Sequence, residues 1–102
     1  MVTYLLRVIK DTEIPVEEVE VKTEIDLMGE FEGRIKVYSD YIKEYPDKLQ
    51  RVRLIGYKKD IGGDGSKEPD HVIKRYILVA IRHVEIFPDD HGKVVWSELT
   101  VF

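Results

Sequence analysis

Residues 28–45 carry the sequence MGEFEGRIKVYSDYIKEY, and their conformation decides the fold of the chain. Thr23 could cap a helix in this region, with Asp26 three residues later. Gly29 and Gly33 oppose a helix, because a glycine inside one costs about 1 kcal/mol relative to alanine. The apolar side chains recur at alternating steps of three and four, which is the spacing of one face of a helix: Met28, Phe31, Ile35, Tyr38, Ile42 and Tyr45.

A faint internal repeat points to a different structure for the same residues. Residues 5–11 (LLRVIKD) match residues 54–60 (LIGYKKD), and residues 33–40 (GRIKVYSD) match residues 92–98 (GKVVWSE) with one residue skipped. The offset between the matched segments grows by about ten residues, which a loop insertion at residues 61–70 accounts for. The repeat predicts two quasi-equivalent units, about 1–48 and 50–102, in a single domain.

The repeat favours a β-hairpin over the helix. The residues after Gly92 follow a clear turn and are typical of a strand, so their match predicts a strand at residues 35–39. A short helix near residues 40–45 is compatible with either structure. The hairpin is the favoured interpretation and the longer helix remains the alternative.

The rest of the chain has mostly strand patterns. Residues 19–27 alternate apolar and charged side chains, and residues 77–81 form an uninterrupted apolar run that predicts burial on both faces of a strand. Residues 88–92 (PDDHG) predict a tight turn with Gly92 at positive φ. The predicted fold is therefore α+β and mostly antiparallel β, with three strands in each unit. The predicted strands are residues 2–10, 19–27 and 35–39 in the first unit, and residues 51–59, 72–87 and 94–102 in the second.

The composition limits the classes of protein to which the chain can belong. It has 102 residues, of which 43% are apolar and 35% charged, which is typical of one globular domain. The absence of cysteine excludes disulfides, zinc–thiolate sites and thiol nucleophiles. No apolar run reaches membrane-spanning length and no leader is evident, so we expect a soluble, intracellular protein without a membrane partner.

Charge is strongly segregated along the chain, although the net charge is only −4. Residues 11–32 hold nine acidic side chains and one lysine, whereas residues 33–59 hold eight basic and three acidic ones. The simplest expectation is that the acidic and basic segments neutralise each other across a sheet.

The sequence predicts no enzyme, no metal site and no cofactor. Its three histidines, His71, His83 and His91, are spaced along one predicted strand and its turn, too far apart to share a metal. The serines have neither an adjacent histidine nor the glycines of a nucleophile elbow, and nothing local selects two carboxylates as a working pair.

Six residues are candidates for binding. Basic and aromatic residues alternate on one face of the predicted strand 51–59, a pattern that could follow a nucleic-acid backbone and stack a base. Tyr38 and Trp96 occupy matching places in the two units, where they are either core anchors or walls of the seam between units. The candidates are Arg51, Arg53, Tyr57, Lys59, Tyr38 and Trp96.

Amino-acid usage resembles that of small orphan proteins of hyperthermophilic archaea and of the filamentous viruses that infect them. The chain has no asparagine or cysteine, one glutamine (Gln50) and one alanine (Ala80), and it is rich in Ile, Val, Glu, Lys and Tyr. The resemblance covers the whole chain but transfers no functional residue. It implies a non-enzymatic viral or host-interaction protein inside the host cell, with a virion component as an alternative.

The expected architecture suggests a mode of binding. Paired sheet units leave open edges and a seam, where an extended peptide can add as a strand. The sequence therefore predicts a non-catalytic protein- or peptide-binding module, with a homodimer through the same edges as a related possibility. Nucleic-acid binding through the basic and aromatic strand is the alternative function.

Overall fold

A computed structural model describes residues 2–11, 15–62 and 75–101. It shows one five-stranded antiparallel sheet and one helix, so the predicted α+β, mostly antiparallel class is confirmed. The first half of the chain is β-β-α and the second is β-β-β, and the two quasi-repeated units are not confirmed. In chain order the elements are β1 (Val2–Lys10), β2 (Pro15–Val21), α1 (Glu24–Glu44), β3 (Val52–Gly62), β4 (Arg75–Pro88) and β5 (Val94–Leu99).

The hairpin predicted for residues 28–45 is wrong, and the helix is the structure that forms. The side chain of Thr23 caps α1 by accepting the backbone N–H of Asp26 at 3.1 Å. Leu27, Phe31 and Ile42 are buried, which contributes about 1.5–3 kcal/mol for each side chain. This burial outweighs the cost of the two glycines within the helix. The separate short helix near residues 40–45 is the last turn of α1.

The helix connects two strands that are not neighbours in the sheet. The strand order is β2-β1-β3-β4-β5, and β2 and β3 are both antiparallel to β1. β2 and β3 therefore run parallel to each other with β1 between them, and α1 crosses one face of the sheet to join them. It contacts all five strands on the way.

The core lies between α1 and this face of the sheet. Alternate residues of β1, β3 and β4 point toward the helix, as the period of two in a strand requires. The connection after α1 contributes one further side chain, Leu49. The buried cluster consists of Leu6, Val8, Leu27, Phe31, Ile42, Leu49, Val52, Leu54, Val84 and Ile86.

The helix and the sheet approach each other closely at Gly56 in the central strand β3. A Cβ atom at this position would lie 2.7 Å from Cε2 of Phe31 and 2.9 Å from its Cζ. On the next strand, the guanidinium of Arg82 lies 4.7 Å from the centre of the Phe31 ring and forms an ion pair of 2.6 Å with Glu98 of β5. Phe31 therefore lies against both the backbone of β3 and a paired cation.

The turn between β4 and β5 agrees with the sequence prediction. Gly92 has φ of 77°, a conformation that side chains with Cβ rarely adopt. One carboxylate oxygen of Asp89 accepts the backbone N–H groups of His91 and Lys93 at 2.9 and 2.8 Å. Of the predicted loop insertion at residues 61–70, the first two residues belong to β3, and residues 63–70 lie outside the described residues.

We expect Gly56→Ala to lower the free energy of unfolding by about 1–3 kcal/mol, because the buried Phe31 ring has to move away from the added methyl group. Gly33→Ala is the matched control, since a Cβ at Gly33 meets nothing within 4 Å. In a helix it should raise the free energy of unfolding by about 0.5–1 kcal/mol. Urea denaturation of both variants checks this, and equal effects would contradict the contact.

Candidate functional site

Strand β4 is much longer than the strand that pairs with its outer edge. It has 14 residues, but β5 pairs only with residues 83–88, from His83 opposite Leu99 to Pro88 opposite Val94. On the other side, β3 pairs with β4 from Ile86 to Arg75, with one irregularity that leaves Ile81 without a partner in β3. Residues 75–82, here called the free edge of β4, therefore have a strand on one side only within the described part of the chain.

The side chains at the centre of the free edge are apolar and exposed on both faces of the sheet. Ile77 is 58% exposed, Leu78 37% and Val79 51%. The sequence-based prediction that residues 77–81 are buried on both faces is wrong. The physical reason is length: α1 spans about 31 Å, whereas β4 spans about 46 Å. The helix packs over the half of β4 that contains Val84 and Ile86.

The centre of the free edge, between Arg75 and Arg82, also lacks the charges that protect the other edges of the sheet. β2, which forms one edge, carries Glu17, Glu18 and Glu20 within seven residues. β5, which forms the opposite edge, is only six residues long and includes Glu98. By contrast, residues 76–81 (YILVAI) carry no charge. Natural proteins protect or cover such edges because an exposed, apolar edge pairs with other chains.

The second candidate region is the sheet face that points away from α1, here called the open face. Val52, Leu54 and Gly56 of β3 face the helix, so the residues that alternate with them belong to the open face. Arg53, Tyr57 and Lys59 lie there, as the alternation predicted. Arg51 comes just before the first residue of β3.

Acidic residues lie against the basic side chains of the open face. Arg51 forms an ion pair of 2.8 Å with Glu85, and the ammonium of Lys59 lies 3.4 Å from Glu20. The hydroxyl of Thr3 and this ammonium lower the pKa of Glu20. On the helix side, Arg34 bridges Glu17 and Glu30 at 2.6 and 2.9 Å. The acidic and basic segments of the sequence thus pair with each other, as expected.

Arg7 of β1 also lies on the open face, where it packs over Tyr57. Its guanidinium lies 5.0 Å from the centre of the Tyr57 ring and 2.9 Å from the carboxylate of Glu18. Tyr57 therefore has a cation over its ring, in the place where a stacked base would have to lie. This arrangement leaves less of the aromatic surface for a nucleic acid than the sequence pattern indicates.

A cleft of about 230 Å³ opens at one end of the open face, with His83 in its lining. Arg51, Arg53 and Glu85 contribute to the same cleft. The imidazole Nε2 is buried and has no hydrogen-bond partner in the described residues. Burial and, second, the charge of Arg53 lower the pKa of His83 from its ordinary value of 6.5, so the ring is neutral at pH 7.

The two remaining candidates do not come together. The hydroxyl of Tyr38 donates to Glu17 of β2 at 3.1 Å, and burial, together with this carboxylate, raises the pKa of the phenol. Trp96 lies in β5 at the other side of the sheet, opposite Ile86, and is 47% exposed. Tyr38 and Trp96 therefore do not line a common groove, and no seam between repeated units brings them together.

Three further observations bear on the function of the chain. Among the described residues, no group of three or more His, Asp or Glu side chains is placed to hold a metal ion. In that same part of the chain, no helix is long and apolar enough to cross a membrane. Neither protein-family models, nor curated proteins, nor solved structures contain a match to this chain.

The free edge of β4 is the feature that sequence reasoning missed. The signal was a difference in length between two predicted strands joined by a tight turn, residues 72–87 and residues 94–102. A tight turn starts the pairing at the turn, so a shorter return strand leaves the far end of the longer one without a partner on that side. The apolar run at residues 77–81 concealed this, because it is also typical of a strand buried in the centre of a sheet.

We expect His83 to make stability depend on pH. Because its pKa is lowered in the folded chain, the unfolded chain binds the proton first, and the free energy of unfolding falls as pH drops below about 6.5. His83→Gln should flatten this part of the profile. Urea denaturation at about pH 7.5 and about pH 5.5 measures the slope. The carboxylates contribute equally to the pH dependence of both proteins, so their effect cancels in the comparison. If the free energy of unfolding of wild type and His83→Gln changed equally between the two pH values, the prediction would be contradicted.

Proposed function

We propose that this protein is a non-catalytic binding module that takes an extended protein segment as an added strand on the free edge of β4. The observation that carries the proposal is the length of β4 beyond β5. Backbone N–H and C=O groups on that side have no strand to pair with in the described residues, and an added strand would supply the missing ladder.

The side chains of the free edge strengthen the proposal. Burying an exposed apolar side chain contributes about 25 cal/mol for each Å² removed from water. Ile77, Leu78 and Val79 are all more than one-third exposed, so a strand laid beside them gains apolar burial in addition to hydrogen bonds. Backbone pairing gives affinity, and the alternating side chains give specificity for an apolar segment.

Binding to protein is favoured over binding to nucleic acid by the electrostatics of the open face. Nucleic-acid affinity depends on cations that are available to neutralise phosphates. Here Arg51 pairs with Glu85 and Lys59 with Glu20, and the chain has a net charge of −4. The amino-acid usage, which resembles that of small proteins of hyperthermophilic archaea and their viruses, supports a viral or host-interaction role inside the host cell.

We expect an extended peptide to bind at the free edge. A suitable probe is Lys-Val-Thr-Val-Thr-Val-Lys, whose alternating side chains fit a strand. At millimolar excess it should form a one-to-one complex in native mass spectrometry and slow hydrogen exchange of β4 amides within residues 77–82. Replacing the central valine of the probe by proline should abolish both effects, because proline removes a ladder hydrogen bond.

A pair of protein variants locates the binding. Val79→Lys introduces a charge into the free edge, while Val16→Lys makes the same change in β2, where Val16 is 53% exposed. We expect only Val79→Lys to lose the peptide complex. Equal affinity of the two variants would contradict the assignment of the site, and thermal unfolding of both controls for loss of the fold.

For nucleic acid we expect weak binding at most. A fluorescently labelled single-stranded oligonucleotide at low salt should show little polarisation change with wild type, and Arg53→Glu should alter it little. Strong binding that falls steeply with salt and is lost in Arg53→Glu would instead support the basic strand as the functional surface.

A further inference from the structure

We infer that the strand which covers the free edge of β4 is the same strand of a second copy of this chain. The inference rests on the proposed function, since it names the partner for that edge. Two copies of β4 would pair antiparallel, and their two five-stranded sheets would join into one continuous sheet of ten strands.

The first argument is the apolar character of both faces of the free edge. Ile77 and Val79 point to one side of the strand and Leu78 to the other, and all three are exposed. A partner strand with one polar face would cover only one of these sides. The stretch 76–81 is apolar throughout, so a second copy of it covers both.

The second argument is the absence of charge at the centre of the free edge. Pairing identical strands usually places like charges close to each other, which is destabilising. Residues 76–81 carry no charge, so self-pairing brings none into opposition. Arg82, at the end of the free edge, is already paired with Glu98 at 2.6 Å. The two edge strands β2 and β5 both carry glutamates, which makes them poorer surfaces for self-pairing.

Symmetry and the position of β5 restrict the register. Antiparallel strands related by a two-fold axis require an axis perpendicular to the sheet, so both helices lie on the same side of the joined sheet. Residues of the same face must then oppose each other, which a centre at Val79 satisfies: Ile77 would face Ile81 of the second copy, and Val79 would face itself. The irregularity of β4 at Ile81 puts Arg82 on the helix face, out of alternation with Val79, so the pairing stops at Ile81, before β5 begins opposite His83.

The chain offers a direct test of this register because it contains no cysteine. In an antiparallel pair, directly opposed Cα atoms lie about 4.5–5.5 Å apart, within the roughly 4.4–6.8 Å that a disulfide spans. Val79→Cys should therefore form a covalent dimer under mild oxidation. The yield of this dimer should not require an excess of oxidant. Val16→Cys, at a similarly exposed position in β2, should stay largely uncrosslinked.

Sedimentation equilibrium tests the association without a crosslink. Wild type should sediment as a dimer that dissociates on dilution, and Val16→Lys should behave in the same way. Val79→Lys should be monomeric at all concentrations, because pairing would bring two ammonium groups together at the two-fold axis. Circular dichroism of the monomeric variant confirms that it is folded, since Val79 is half exposed and not part of the core.

The outcomes separate this inference from the proposed function. A monomeric wild type that captures the Lys-Val-Thr-Val-Thr-Val-Lys probe would overturn the second-copy inference and leave strand addition standing. A monomeric wild type that captures no probe would overturn both. A dimer that survives Val79→Lys, or that crosslinks through Val16→Cys and not Val79→Cys, would place the contact elsewhere and overturn the inference.

Discussion

The contact between the Phe31 ring and the backbone of Gly56 is the constraint on which the rest of the structure depends. At Gly56 the ring lies so close to the strand that there is no room for a Cβ, and Gly56 lies in β3, the third of five strands. The guanidinium of Arg82 lies over the same ring, 4.7 Å from its centre, and its pairing with Glu98 connects the helix to β4 and β5. The contact between one aromatic side chain and one glycine therefore sets how closely α1 packs at the middle of the sheet.

The position of α1 on the sheet divides β4 into two parts with different roles. The part that contains Val84 and Ile86 lies under the helix, is paired on both sides and belongs to the core. The part before Arg82 extends beyond β5, and its side chains Ile77, Leu78 and Val79 face water, while Ile81 still packs against the core. A single strand thus contributes both to stability and to the surface that we propose for binding, because it is longer than the elements that cover it.

The open face shows why a charge pattern in the sequence is weak evidence for a ligand. Arg53, Tyr57 and Lys59 lie on one face, as their alternation predicted, but β1 and β2 bring Arg7, Glu18 and Glu20 to the same surface. These neighbours are distant in sequence and close in the sheet. Whether a basic side chain is available for a ligand depends on them, so the spacing within one strand could not decide it.

The sequence by itself determined the elements that local physics controls: β1 and the strands of the second half, the turn at Gly92, and an α+β class without thiol chemistry. It could not choose between hairpin and helix at residues 28–45, because Gly29 and Gly33 oppose a helix locally and only the burial of Leu27, Phe31 and Ile42 against the sheet outweighs them. The tertiary structure also decided that residues 77–79 are exposed. An apolar run has the same composition in the centre of a sheet and on its edge, and only the lengths of the neighbouring elements distinguish the two.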